Sequence, residues 1–371
     1  MSFASEGSQP ALNSEIRQSA QLARQNRLIV VFLLLVLSFF EIHILQLIQV
    51  TGFDREVLGA KGVLRGTPEL RAFQNRVLGP LLVACLVKLT GQPYPPAYAS
   101  VLSFCIAFPN FLCYFLAARV TREPRKALIV AAVFAVAVVF VQDQSWFFLW
   151  DAIDFSTMLL FAYAVFHAKN DLRLLIPLFF VELLNRESAD YIAVWLILSA
   201  AATLIFGDAE RSNRTTLKFQ AGIGAFLLAL GIWWTHTIRH LLFKHSFDPK
   251  VGLDLKHSAD GQWIMIGSNF SVKTFSSDMT EYTIAVICTM AVAFMIYRLI
   301  VSQGWKSYPI ACLIGLMTAS VWVFARVIET RVWLDFLPFG IFYAFTAETR
   351  LQQTLSEADQ DFSASTERLA A

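Results

Sequence analysis

LIVVFLLLVLSFFEIHILQLIQV, residues 28–50, carries only Glu41 and His43 as ionisable side chains. It is as long as the roughly 20 apolar residues a helix needs to cross the hydrocarbon of a bilayer. A polar stretch precedes it, and no small-residue cleavage site follows its apolar centre, so it reads as a retained membrane anchor and not as a cleaved leader. The same criterion selects further runs downstream: Tyr98–Ala118, Ala127–Val141, Asp151–His167, Leu172–Leu184, Tyr191–Phe206, Phe219–Phe243, Tyr282–Ile300, Ile310–Ala325 and Leu334–Thr346. The expected fold is all-α, a polytopic helical membrane bundle of about ten transmembrane helices. Val77–Leu89 is too short to span and reads as an additional outer juxtamembrane helix. Residues 28–348 would form the membrane domain, with loosely ordered cytosolic tails at 1–27 and 349–371.

Composition agrees with the runs. Of 371 residues 56% are hydrophobic and 16% charged, with a mean hydropathy of +0.56, far from soluble norms. A net charge of +2 without a basic run interleaved with aromatics speaks against a nucleic-acid partner. The five cysteines, Cys85, Cys105, Cys113, Cys288 and Cys312, all lie in apolar stretches without metal-ligand spacing and read as small buried hydrophobes.

The positive-inside rule orients the chain. If Val77–Leu89 does not cross, the basic loops at 119–126, 169–173, 211–218 and 298–306 share one side with Arg17, Arg24 and Arg27. Both termini are then cytoplasmic, in a cytoplasmic (inner) membrane. The same orientation gathers Asp54, Arg55, Glu56, Arg76, Asp143, Asp151, Asp154, Arg186, Glu187, Arg239, Glu329, Arg331 and Asp335 at or just below the outer face. An ionised side chain at the bilayer centre costs about 2.5–3.5 kcal/mol on insertion scales, so such residues face protein or water. Their one-sided grouping points to an outward-facing cavity lined by carboxylates and guanidinia.

Each member of that group has a chemical reading and a plainer one. Arg76, in FQNRVLGPLL, offers a planar donor fork suited to phosphate, or snorkels to headgroups. Asp151 and Asp154 in WDAIDF are three apart and share a helix face. They orient sugar hydroxyls, hold a divalent cation or act as a general base, unless Asp151 merely caps its helix. In NRES, residues 185–188, adjacent charges point different ways: Arg186 toward a phosphate, Glu187 toward Arg331, or both toward water. Glu329 and Arg331 in ETRVWLDFLP line the cavity or form a solvated ion pair. His236 and His240, four apart, have metal-site spacing without the accompanying acid of HExxH. Glu41 and His43 read as a local polar pair or as site walls. Asn269 opens a glycosylation triplet that arises easily by chance. The chain has no GxxxxGK[ST] and no Gly-x-Ser-x-Gly, which argues against an ATP-driven pump and a serine hydrolase elbow.

From Leu28 to Thr346 the order of motifs resembles the GT-C superfamily of polytopic bacterial glycosyltransferases. The resemblance rests on an acid in the first outer loop (Asp54 or Glu56), the juxtamembrane RVLGPLL ending in LTG, the basic AARVTREPRKA, then DAIDF, NRESA and ETR. It implies a cell-envelope enzyme that moves a sugar from a polyprenyl-phosphate donor to a glycan or lipid acceptor outside the membrane, with inversion. The first-loop acid, Asp54 or Glu56, would be the catalytic base. Arg76, Arg186 and Arg331 would hold the phosphate, with Asp151, Asp154, Glu187 and Glu329 as substrate-binding neighbours. The first loop lacks the acidic pair of metal-dependent members, so no metal or other cofactor is expected, and the chain would be a compact, membrane-only member. The competing class is a transporter or flippase of an anionic lipid or glycan intermediate, with the carboxylates as proton relays. The inner halves of the spans, closed by Phe, Leu and Val, disfavour a path to both faces.

Overall fold

The computed structural model describes residues 9–66, 76–142, 147–168, 170–206, 211–242, 269–271, 276, 278–325 and 329–348. Side chains are described from residue 27 onward, apart from 211–213, 239, 240 and 242. Asp143, most of the 244–281 segment, the C-terminal tail and the side chains of Arg239 and His240 therefore lie outside the described residues.

Among the described residues the secondary structure is helical. The helices are α1 (Gln9–Gln49), α2 (Phe53–Arg65), α3 (Leu78–Thr90), α4 (Tyr94–Thr121), α5 (Pro124–Val141) and α6 (Leu149–Phe166). They continue with α7 (Leu172–Leu183), α8 (Ala189–Phe206), α9 (Arg211–Leu242), α10 (Met279–Gln303), α11 (Tyr308–Phe324) and α12 (337–348). Short 3₁₀ turns, Gly304–Ser307 and Thr330–Phe336, lead into α11 and α12. The breaks follow local chemistry. Proline occupies the first turn of α4, α5 and α11, where its missing N–H costs nothing. Gly66 and Gly91, at φ 72° and 70°, end α2 and α3 in the left-handed region that glycine enters without strain.

Among the described residues, seven helical stretches are long and apolar enough to cross a membrane: Arg27–Gln49, Tyr94–Thr121, Pro124–Val141, Leu149–Phe166, Ala189–Phe206, Arg214–Ile238 and Met279–Phe324, the last interrupted by the Gly304 turn. This is a multi-pass helical membrane architecture. Large apolar side chains such as Phe39, Phe104, Phe140, Phe226 and Met290 stand exposed on its outside, as contact with lipid requires. Two sequence-derived spans come out shorter than expected. The run from Leu172 gives the 12-residue α7, and the run from Leu334 begins inside a 3₁₀ turn before α12. Val77–Leu89 forms the short α3, as its length suggested. The polar loop after α1 folds into α2, and α1 itself starts at Gln9, inside the expected loose tail.

Burial sorts the helices. In α6, 83% of the span is buried inside the protein, against 22% for α1 and 17% for α9, so α6 is the central helix and those two are peripheral. A helix apolar on all sides belongs in such a position. Phe155, Met158, Leu159, Phe161 and Ala162 of α6 are closely packed, with Phe161 edge-on to Phe339 of α12 and Phe155 edge-on to Phe134 of α5. The N-terminal end of this central helix carries Asp151 and Asp154, so the fold brings two carboxylates to the middle of the molecule.

Candidate functional site

Asp151 reaches its position through the helix it begins. Its Oδ2 accepts from the Phe148 N–H at 3.1 Å, satisfying one of the orphan donors at the start of α6. The sequence alternative of a capping role is thus real, yet the carboxylate does more. Arg331 Nη1 donates to the same Oδ2 at 2.9 Å, and Arg186 Nη1 lies 3.5 Å from Oδ1. One turn on, Asp154 is fully buried and receives Arg186 Nη1 at 2.6 Å and the Ser188 hydroxyl at 3.2 Å. Arg331 Nη2 also meets Glu329 Oε2 at 2.9 Å. Two arginines from segments far apart in sequence therefore converge on the start of α6. Buried pairs of this kind are held by geometry: removing one partner strands the other charge at a cost of about 3–5 kcal/mol.

Arg76 arrives by another route. Leu184 C=O, just past the end of α7, accepts from both Val77 N–H (2.9 Å) and Leu78 N–H (2.8 Å), which ties the start of α3 to the NRES turn. This places the Arg76 guanidinium 5.3 Å from the centre of the Trp150 ring. Trp150 stacks on Phe148 at 4.6 Å and 13°, and Arg331 lies 5.1 Å from the Phe148 ring centre. Two guanidinia thus bracket a stacked aromatic pair, and cation–π attraction in such a desolvated place is worth about 2 kcal/mol each. Burial, and then the neighbouring Arg186, push the Arg76 guanidinium down to about 10. It stays a cation at neutral pH. Glu187 acts electrostatically on Arg76, and Arg331 takes Asp151 and Glu329 as ion-pair partners.

The two first-loop acids part company. Asp54 is exposed on α2. Glu56, on the inward face with Val57, Ala60 and Val63, is 1% exposed, and its Oε1 accepts from the Phe147 N–H at 3.0 Å. Its carboxyl also neighbours the Tyr98 hydroxyl, which accepts from Leu149 N–H at 3.3 Å and has its own hydrogen to donate toward Glu56. Burial is the main cause that pushes the Glu56 carboxyl up to about 8. The Phe147 N–H opposes it, and the negative charge of Asp151 adds to it. Gln49, the last residue of α1, donates to the Phe147 C=O at 2.7 Å, so α1 and α2 grip both polar groups of one residue.

Two site residues escaped the sequence reading. Glu182 lies at the end of the apolar run of α7, fully buried, against Ser188, Thr157 and Asn185. It carried the same signal as Asp154, a lone acid in apolar surroundings. Asp335, grouped with the outer charges but given no role, acts electrostatically on Asp154 and Arg186. Elsewhere, Glu41 accepts from Asn110, and the ring of His43 stacks on Phe39 at 6.3 Å, so those two do not pair with each other. The Asn269 amide donates to Trp322 C=O and Ala325 C=O at 2.8 Å each and is buried, which removes it as a glycan acceptor in this fold. Among the described residues no three His, Cys, Asp or Glu side chains are grouped as a metal site.

The assembled chemistry is four buried carboxyls, Glu56, Asp151, Asp154 and Glu182, and three guanidinia around the start of the central helix. Groups of these types can bind an anion and exchange a proton. Compared with known proteins, the chain matches no family model, no curated protein and no solved structure.

Proposed function

We propose that this protein is an inverting, GT-C-like membrane glycosyltransferase of the bacterial cytoplasmic membrane. It takes a sugar from a polyprenyl-phosphate donor and passes it to a glycan or lipid acceptor on the outer side, across a bundle of about ten membrane segments with cytoplasmic termini. The observation that carries this reading is the gathering of Arg76, Arg186 and Arg331 around the start of α6, near a buried carboxyl, Glu56, that feels the charge of Arg331.

The chemistry follows from that pairing. The acceptor hydroxyl gives its proton to Glu56 as its oxygen attacks the anomeric carbon. The bond from that carbon to the phosphate oxygen breaks, and the phosphate leaves with the electron pair. Fixed guanidinia stabilise the charge as it develops on the leaving group, and this electrostatic part is the larger share of catalysis in a dry site. Asp151, shared by Arg186 and Arg331, keeps the two forks at a set separation. Trp150 and Phe148, both buried, back the Arg76 and Arg331 guanidinia with apolar rings and hold them in place. Glu56 takes the role of base because it is the first-loop acid that adjoins the arginines; Asp54 is exposed.

The test is transfer from radiolabelled polyprenyl-phosphate sugars in proteoliposomes. Wild type should release free polyprenyl phosphate and label an acceptor, Glu56→Gln should lose about 10²–10⁴-fold of the rate, and Asp54→Asn should retain it. Labelled lipid that reaches the opposite leaflet chemically unchanged would replace the transferase with a flippase.

A further inference from the structure

Glu182 is a buried acid for which the proposed transfer chemistry has no direct use, and its hydrogen bonds assign its proton. The Thr157 hydroxyl has one hydrogen and two close oxygens: the Asp154 backbone carbonyl at 2.8 Å and Glu182 Oε2. A carbonyl oxygen only accepts, so Thr157 donates to Asp154 C=O. The hydrogen between Thr157 and Glu182 must then come from Glu182. At the other carboxyl oxygen, Ser188 Oγ lies 2.6 Å from Glu182 Oε1 and 3.2 Å from Asp154 Oδ1, and the Asn185 amide donates to Oε1 from 3.4 Å. A neutral Glu182 with its hydrogen on Oε2 satisfies the Thr157 contact, and the single Ser188 hydrogen is shared between Glu182 Oε1 and the more distant Asp154 Oδ1. An ionised Glu182 would leave two lone pairs opposed at Thr157.

From this geometry we infer that Glu182 is a positioning residue held permanently protonated, and that its neutrality keeps Asp154 as the charged partner of Arg186. The groups facing it come from α6 (Asp154, Thr157), from the turn after α7 (Asn185, Arg186, Ser188) and, through Asp154, from the 3₁₀ turn that carries Asp335. A second carboxylate charge beside Asp154 would draw the Arg186 field into the protein and away from an anionic group bound beside the arginines. Neutral Glu182 instead fixes the NRES turn through Ser188 and Asn185 without spending that charge. The link to anion binding rests on the proposed transferase reading; the protonation state does not.

Two measurements on the full-length purified protein test the inference. In an infrared difference spectrum of wild type minus Glu182→Gln at neutral pH, a protonated-carboxyl C=O band should be lost from the variant. Loss of a carboxylate band in its place would overturn the assignment. In proteoliposomes Glu182→Gln, which reproduces a donor toward Thr157 and an acceptor toward Ser188, should transfer sugar at close to the wild-type rate. Glu182→Ala should fall about a hundredfold through a displaced NRES turn. A Gln variant as defective as the Ala variant would also overturn the inference. A wild type with no transfer at all would count against the transferase reading while leaving the infrared result to decide the proton.

Discussion

Glu56 and Asp54 stand two positions apart on one helix, and the turn between them decides which is chemically interesting. Glu56 shares its face with Val57, Ala60 and Val63, all buried, while Asp54 faces outward. The pattern is amphipathic and was readable, since apolar residues at 57, 60 and 63 define a face that includes 56. Read as a polar loop, the segment leaves Asp54 and Glu56 equivalent as candidate bases, and the helical face separates them. The consequence is a pH dependence. With its carboxyl pushed up to about 8, Glu56 is mostly protonated at neutral pH and becomes an effective base only as pH rises. The transfer rate under kcat/KM conditions should climb about tenfold per pH unit below 8 and level off above it. A flat profile across that range would remove Glu56 as the base. The same shift acts on stability with a definite sign. The folded protein binds this proton more tightly than the unfolded chain, so the contribution is complete below about 4.5 and is lost as pH rises through about 8.

Among the elements, α8 and α9 pack tightly against each other at Gly224. A Cβ added at Gly224 of α9 would sit 2.9 Å from the Ala193 carbonyl oxygen and 2.9 Å from Ile197 Cγ1, neither of which can swing aside cheaply. Gly222, two residues earlier, has nothing within 4 Å of the same position. Gly224→Ala should therefore push the helices apart and cost about 1–3 kcal/mol. Gly222→Ala should be neutral or stabilising by up to about 1 kcal/mol, because alanine is the better helix former. Thermal unfolding in detergent separates them, and equal effects would mean the glycines matter through helix propensity and not through contact. Close packing of this sort was invisible in the sequence, where the two glycines look alike. The helices themselves were legible from apolar run length, and α3 was recognised by being too short. What run length does not encode is which helix is central, and that determined the site. Asp151 and Asp154 announced themselves through the cost of burial. The partnership of Asp151 with Arg331, 180 positions away, depends on how the 3₁₀ turn before α12 is carried over the start of α6. Glu182 was overlooked for the same reason: its partners Thr157 and Ser188 belong to separate segments, and spacing along α7 gives no hint of them.

For the whole molecule the decisive physical quantity is the side of the membrane on which the charged site opens. The basic residues Arg119, Arg122, Arg125 and Lys126 surround the turn between α4 and α5, where Lys126 pairs with Glu123 at 3.0 Å and with Glu348 at the end of α12 at 2.7 Å. The exposed parts of these pairs contribute little to stability. Under the positive-inside rule, a short loop this rich in lysine and arginine is expected on the cytoplasmic side. The site lies at the opposite ends of the helices concerned. Asp151 and Asp154 open α6, which closes at Phe166, whereas α5 begins beside Lys126 and ends at Val141, just before α6. A helix that starts at the basic turn and one that starts at the site are thus traversed in opposite senses, and the two features fall on opposite sides of the bilayer. In a cysteine-free background, a cysteine placed at exposed Asp54 should react with a membrane-impermeant maleimide in intact cells. A cysteine at Arg122 should react only after permeabilisation. The reverse pattern would turn the site toward the cytoplasm and put it out of reach of an acceptor on the outer face. Labelling of both positions in intact cells would instead indicate a path open through the bundle, and the charged cluster would then belong to transport and not to transfer.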